Sequence, residues 1–146
     1  MKRRALLPLA LVAVLLTGCS ADAQARSSLA QTAGTAASSA RSAGLSLGLE
    51  ANDRLTPGVL DTALSDSGKA LGDAATSLSE LTATGGIGAA RDDMIALVRS
   101  AQDAVLTAQD ADSAGRLTPS AAARLSERLD GIAQKLAAGS KRMERG

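Results

Sequence analysis

The sequence predicts an all-α fold, and more specifically an antiparallel up-down four-helix bundle built from two helical hairpins. Hydrophobic residues make up 45% of the chain although it has no Phe, Tyr or Trp, and the β-branched side chains that suit strands are scarce. Four segments place apolar residues in alternating steps of three and four, which is the period of a helix face. Thr-Pro, a good helix start, occurs at Thr56-Pro57 and again at Thr118-Pro119.

Residues 1–18 have the pattern of a cleaved export signal. A positive cluster, Lys2-Arg3-Arg4, precedes an apolar run over residues 5–16, which is too short to span a bilayer as a stable helix. The run ends in Leu16-Thr17-Gly18-Cys19. The Arg3-Arg4 pair leaves twin-arginine export open beside the general route, and a chance cysteine after an uncleaved anchor is the alternative to a signal.

The tetrapeptide before and including Cys19 resembles the lipobox of bacterial lipoproteins. The resemblance implies cleavage before Cys19, a thioether-linked diacylglycerol on its sulfur and often an N-acyl chain, at the extracytoplasmic face of the cell membrane. Each buried methylene contributes about 0.8 kcal/mol, so two or three chains would anchor the protein firmly. Lipidation would also consume the single cysteine of the chain, leaving no thiol for a disulfide, a metal site or catalysis.

The bundle domain is expected over residues 28–146, after a short polar tether at 20–27. Helix 1 is predicted from about Ser28 to Ala51, with a stripe of mostly methyl groups: Leu29, Ala33, Ala36, Ala40, Ala43 and Leu47. Gly34, Gly44 and Gly48 each cost about 1 kcal/mol relative to alanine, so this helix depends on its neighbours. Low-complexity disorder is the alternative for this segment.

Helix 2 is expected to begin at Thr56-Pro57, with threonine as its cap, and to end at Thr84-Gly85-Gly86. Its stripe is an unbroken heptad pattern: Leu60, Leu64, Ser67, Leu71, Ala74, Leu78 and Leu81. Helix 3 is expected from about Gly88 to Ser113, with an apolar face of Met94, Val98, Ala101, Val105 and Ala108.

Helix 4 is expected to begin at Thr118-Pro119, with an apolar stripe of Ala122, Leu125, Leu129, Ile132, Leu136, Gly139 and Met143. Arg-Leu-Thr-Pro occurs at 54–57 and at 116–119. Both copies lie at predicted junctions between helices. The repeat indicates either a duplicated hairpin or two independent uses of one capping pattern.

Composition narrows the function classes. The chain carries 16 Lys and Arg and 15 Asp and Glu, and loss of Lys2, Arg3 and Arg4 with the leader leaves an excess of two acidic residues. This charge, without aromatic residues for stacking, argues against nucleic-acid binding. The chain also has no histidine, the commonest general base and metal ligand.

Three segments offer candidate chemistry. Asp110 and Asp112, followed by Gly115, resemble part of an EF-hand calcium loop, but alanine occupies positions 114 and 121, where two oxygen donors belong. The alternative there is a helix C-cap. Asp92 and Asp93, with many hydroxyls, could serve an enzyme, yet no His, Tyr or G-x-S-x-G elbow would activate them. The glycines of 85–88 could present N–H groups to phosphate, although a simple helix-helix turn fits as well.

We therefore expect a non-enzymatic lipoprotein without cofactor, acting as a structural or protein-interaction module, with small-ligand or cation (calcium) binding as the alternative. Its partners would be the membrane, through the lipid on Cys19, and an envelope protein or a second copy of itself. An even number of antiparallel helices returns the chain to its starting side. The basic tail would then face anionic headgroups, or else only complement the helix dipole: Lys135, Lys141, Arg142 and Arg145.

Overall fold

The computed structural model describes the backbone of residues 6–56 and 58–146, and the side chains from residue 21 onward except residue 57. Within that part of the chain the secondary structure consists of four helices and contains no strand: α1 (Leu6–Glu50), α2 (Val59–Glu80), α3 (Gly85–Ser113) and α4 (Pro119–Arg145). Neighbouring helices are antiparallel. The predicted all-α four-helix bundle is confirmed.

The helices form a closed ring in the order α1, α2, α3, α4, with α4 returning to contact α1. The α1–α4 pair has the most extensive contacts of the four neighbouring pairs, and the α3–α4 pair has the least. We call the end of the bundle where Ala25 of α1 lies beside the C-terminus of α4 the proximal end. The opposite end, which holds the α1–α2 and α3–α4 junctions, is the distal end.

The predicted stripes form most of the core, which also contains Ala37, Ala104 and Ala133. Every stripe position of α1, from Leu29 to Leu47, is buried, as are the predicted α2 positions from Leu60 to Leu78 and all five predicted α3 positions. In α4 the stripe is buried except for Leu125 and Met143, which pack against the core while partly exposed. A period of three and four therefore identified the buried face of each helix, because that face follows from local sequence alone.

The start of α1 differs from the prediction. Residues 20–27, expected to be a tether, are part of α1, and Ala25 is only 8% exposed. Arg26 donates a hydrogen bond from Nη1 to the carbonyl oxygen of Gly146. The folded bundle thus extends back to Ala25 at least, because the end of α4 covers this additional turn of α1.

The start of α2 also differs from the prediction. Thr56 does not cap it: the N-cap is Gly58, which has φ +86° and no side-chain cap, and α2 begins at Val59. In the second Thr-Pro junction the prediction is confirmed, since Thr118 Oγ1 accepts the Ala121 N–H at 3.2 Å. The two junctions differ in the residue that follows the proline, which is Gly58 in the first and Ser120 in the second. Glycine adopts the left-handed conformation without steric cost, so the helix can start at this position only in the first junction.

The two hairpin junctions nevertheless share one geometry just before the Arg-Leu-Thr-Pro repeat. After α1, Asp53 has φ +55°, its N–H bonds Glu50 O at 2.9 Å, and the Arg54 N–H bonds Leu49 O at 3.0 Å. After α3, Gly115 has φ +62°, and the corresponding bonds to Asp112 O and Ala111 O are 2.8 and 2.7 Å. Both are Schellman caps, which satisfy the last carbonyls of a helix. The repeat thus coincides with a repeated helix-ending structure.

These caps give a paired stability prediction. Asp53→Gly should raise the free energy of unfolding by up to about 1 kcal/mol, because an L-residue is strained at positive φ and glycine is not. Thermal melting followed by circular dichroism measures the change. Asn52→Gly is the control, and should destabilise, because it removes the 2.7 Å bond from Asn52 Nδ2 to Gly48 O and places glycine outside the left-handed position. Equal effects of the two changes would refute this account of the cap.

Candidate functional site

The predicted lipidation site falls outside the described side chains. Cys19 lies in α1 by its backbone, but nothing is described of its thiol, and the first five residues of the predicted signal are outside the description altogether. Arg26, which is partly buried and bonds the carbonyl oxygen of Gly146, is about two helical turns away. The described bundle therefore begins close to the residue that the sequence marks for lipidation. Among the described residues, no helix combines the length and hydropathy needed to cross a membrane.

A closely packed contact between α1 and α4 positions the C-terminal helix. Small residues of α1, namely Ala30, Gly34, Gly44 and Gly48, face α4, and we call this contact the α1–α4 seam. From the α4 side, Ser126 Oγ donates to Gly44 O at 2.7 Å and Ser140 Oγ donates to Ala30 O at 2.8 Å.

A backbone carbonyl on the side of a helix is reached by a short hydroxyl only when the two helices lie close together. The seam, with these two bonds, holds the whole length of α4 along α1. It thereby fixes where the basic residues of α4 lie. The serines at 126 and 140 were missed by sequence reasoning, although their spacing opposite the glycines of helix 1 was visible in principle.

All four basic candidates of α4 line one groove between α3 and α4. Lys135, Lys141, Arg142 and Arg145 are exposed and lie along its α4 side. Asp93, Ala96 and Leu97 form the α3 side, and Ala138 lies on α4 between the cations. We call this the α3–α4 groove; its volume is about 700 Å³. It runs from the proximal end toward the middle of the bundle, because ten residues separate Lys135 from Arg145, or about 15 Å of helix.

The groove carries a strong excess of positive charge. Of its lining residues only Asp93 is acidic, and none of the four cations has an ion-pair partner among the described residues. The ion pair that the described residues do form lies outside the groove and joins Arg91 to Asp92 at 2.7 Å. Arg91 also donates to Leu81 O at 2.9 Å, so Asp92 serves to orient a side chain that caps the end of α2. Of the two carboxylates considered for catalysis, Asp92 thus has a structural partner and Asp93 faces the groove.

The calcium-loop candidate is a helix cap. Asp110 and Asp112 lie in the last turn of α3, and the carbonyls around them are used by the backbone: Ala114 N–H bonds Asp110 O at 3.3 Å, and Gly115 N–H bonds Asp112 O at 2.8 Å. No group of three or more His, Cys, Asp or Glu that could hold a metal occurs in the described part of the chain. The residues fit the Schellman cap described above.

The glycine-rich candidate is the first turn of α3, which begins at Gly85 and not near Gly88 as predicted. Gly88 is buried, and its N–H bonds Thr84 O at 3.2 Å. A Cβ at Gly88 would lie 3.0 Å from Ala83 O, so this glycine allows the chain to pass closely over the α2–α3 turn. The segment is a helix-helix connection.

Comparison with known proteins adds no identification, since no family model, no curated protein and no solved structure matches the chain. The α3–α4 groove and the two ends of the bundle are therefore interpreted from their own geometry. Sequence reasoning found the four cations of the groove and missed its α3 side. Asp93, Ala96 and Leu97 could not be assigned to it without knowing which helix lies beside α4.

Proposed function

We propose that this chain is a lipid-anchored lipoprotein of the cell envelope, whose helical bundle is a non-enzymatic structural or protein-interaction module on the outer face of the membrane. The anchor would be diacylglycerol on Cys19, placed by the signal-like residues 1–18. The bundle would extend away from the membrane from its proximal end. The observation that carries the proposal is a difference between the two ends of the bundle.

At the proximal end the C-terminal turns of α4 are basic, with Glu144 as the acidic residue among them. Arg142 and Arg145 belong to the last turn of α4, and the bond from Arg26 to Gly146 holds that turn beside the start of the packed part of α1. Each Lys or Arg near an anionic membrane surface contributes about 1 kcal/mol. An anchor at Cys19 would bring these side chains to the headgroups. Favourable interaction with the helix dipole at the end of α4 is compatible with the same placement.

The distal half exposes several large hydrophobic side chains. The large hydrophobic side chains that the structure describes as exposed all lie in the distal half: Leu45, Leu49, Val59 and Leu106. Leu45 and Leu49 are one turn apart on α1, and Val59 is the first residue of α2, just across the junction. Exposed leucines one turn apart on α1, beside Val59, support a contact with another protein or with a second copy of the chain. A module anchored at its proximal end would present these side chains away from the membrane.

Cys19→Ser tests the anchor. We expect the wild-type protein to partition into the detergent phase and the membrane fraction, and its N-terminal peptide to carry the mass of acyl groups on Cys19. The serine variant should lose the acyl groups, because a hydroxyl does not form the thioether. Ser20→Ala is the matched control and should behave as the wild type. A wild-type polypeptide that retains residues 1–18, or whose Cys19 bears no acyl group, would refute the proposal.

A further inference from the structure

The α3–α4 groove combines cations with an apolar floor, and a contact with lipid headgroups alone would need only the cations. Its floor is apolar, formed by Ala96, Leu97 and Ala138, while its edge carries the four cations of α4. Ala96 and Ala138 are exposed, because the small side chains leave space between the least tightly associated pair of neighbouring helices. A bilayer surface would use the cations near the proximal end and would leave the floor and Lys135 without a partner.

We propose that the α3–α4 groove binds one anionic phospholipid molecule. The phosphate lies among Lys141, Arg142 and Arg145, where the positive charge is most concentrated, and an acyl chain lies along Ala96, Leu97 and Ala138. The aliphatic stem of Lys135 covers the chain while its ammonium group stays in water. This inference rests on the proposed function, since an anchored bundle is supplied with phospholipid at its proximal end.

Charge and shape both favour this occupant. Four cations against one carboxylate select an anion, and guanidinium groups pair with phosphate through two parallel hydrogen bonds. A free phosphate would leave the apolar floor in contact with water, whereas an acyl chain covers it. The volume of about 700 Å³ lies within the range of about 300–1,000 Å³ found for small-molecule sites. A zwitterionic lipid would bring its own cation next to those of α4.

Native mass spectrometry of the complete protein, purified from membranes in a nonionic detergent, tests the proposal. We expect one retained molecule of added phosphatidylglycerol per chain. Retention of phosphatidylcholine with the same acyl chains should be lower by roughly tenfold or more. Glycerol phosphate, which has the headgroup charge without the chains, should not be retained. The same spectra give the mass of the protein itself, so acylation of Cys19 is measured separately from occupancy of the groove.

Two variants and one control locate the site. Replacing Lys141, Arg142 and Arg145 by glutamine should lower retention of phosphatidylglycerol by roughly tenfold or more. Ala138→Leu should lower it by filling the floor, while circular dichroism shows an unchanged fold. The control replaces three exposed cations on other surfaces, Arg41, Lys69 and Arg116, and makes the same change in net charge.

Several outcomes would overturn the proposal. Equal losses in the control and the groove variant would mean that general electrostatics holds the lipid. Retention of glycerol phosphate would indicate a simple anion site. Unchanged retention of phosphatidylglycerol by the Ala138→Leu variant would exclude the acyl chain from the floor. An unacylated Cys19 together with normal lipid retention would refute the anchor and leave the groove proposal intact.

Discussion

Leu47→Ala should lower the free energy of unfolding by about 2–5 kcal/mol, the cost of deleting buried methyl groups and leaving a cavity. Leu47 is 0% exposed and lies near the distal end of α1, in a core where most α1 positions are alanine. Few other side chains are large enough to fill the space left behind. A loss of this size is a large fraction of the total stability of a small domain.

Leu45→Ala provides a matched control, two residues away on the same helix. Leu45 is 60% exposed, so the same deletion should change stability by no more than about 0.5 kcal/mol. Urea denaturation followed by far-ultraviolet circular dichroism measures both changes. If the two variants lose similar amounts, the assignment of the buried face of α1 is wrong.

Gly44→Leu should destabilise the protein by at least about 2 kcal/mol, because overpacking at a close contact forces the helices apart. A Cβ on Gly44 would already lie 3.0 Å from Asp130 Oδ1 and 3.3 Å from the Ser126 backbone oxygen. The added side chain would also separate Ser126 Oγ from Gly44 O, a bond of 2.7 Å. The loss outweighs the gain of about 1 kcal/mol that any glycine replacement in a helix brings.

Gly131→Leu is the control and should have the opposite sign. Gly131 lies in α4, and a Cβ there would have no neighbouring atom within 4 Å. The substitution therefore keeps the gain in helix propensity, about 1 kcal/mol, without the steric cost. Thermal melting of both variants measures the signs directly. If both variants are stabilised, α1 and α4 can separate without cost. The seam would then not fix the position of the basic residues of α4.

The local pattern predicted most of the fold. Leu60 to Leu78 in α2 and Met94 to Ala108 in α3 are buried as the helical period indicates, because the face of a helix depends only on residues within a few turns. Helix boundaries were less accurate: α1 extends through residues predicted to be a tether, and α2 begins after Gly58 instead of at Thr56. The start of α1 depends on packing by the distant end of α4, and the start of α2 depends on the left-handed backbone of Gly58.

The candidate site was predictable only in part. The four cations of α4 were visible in the sequence, and the antiparallel topology placed the chain's end beside its start. Their shared groove required Asp93 and Leu97 of α3, which lie about forty residues earlier. Which side of α4 faces α3 depends on how tightly its other side packs on α1. Ser126 and Ser140 bond to carbonyls of α1 that are 82 and 110 residues away, and no local pattern contains such a pairing.

The sequence by itself determined the class of fold, the buried face of each helix and the basic character of the C-terminal turns. Only the tertiary structure decided that α4 packs most closely on α1, and that the remaining space opens between α3 and α4. The physical reason is that helix formation and amphipathicity are local properties, whereas the distance between two helices is set by the size of side chains that meet only after folding.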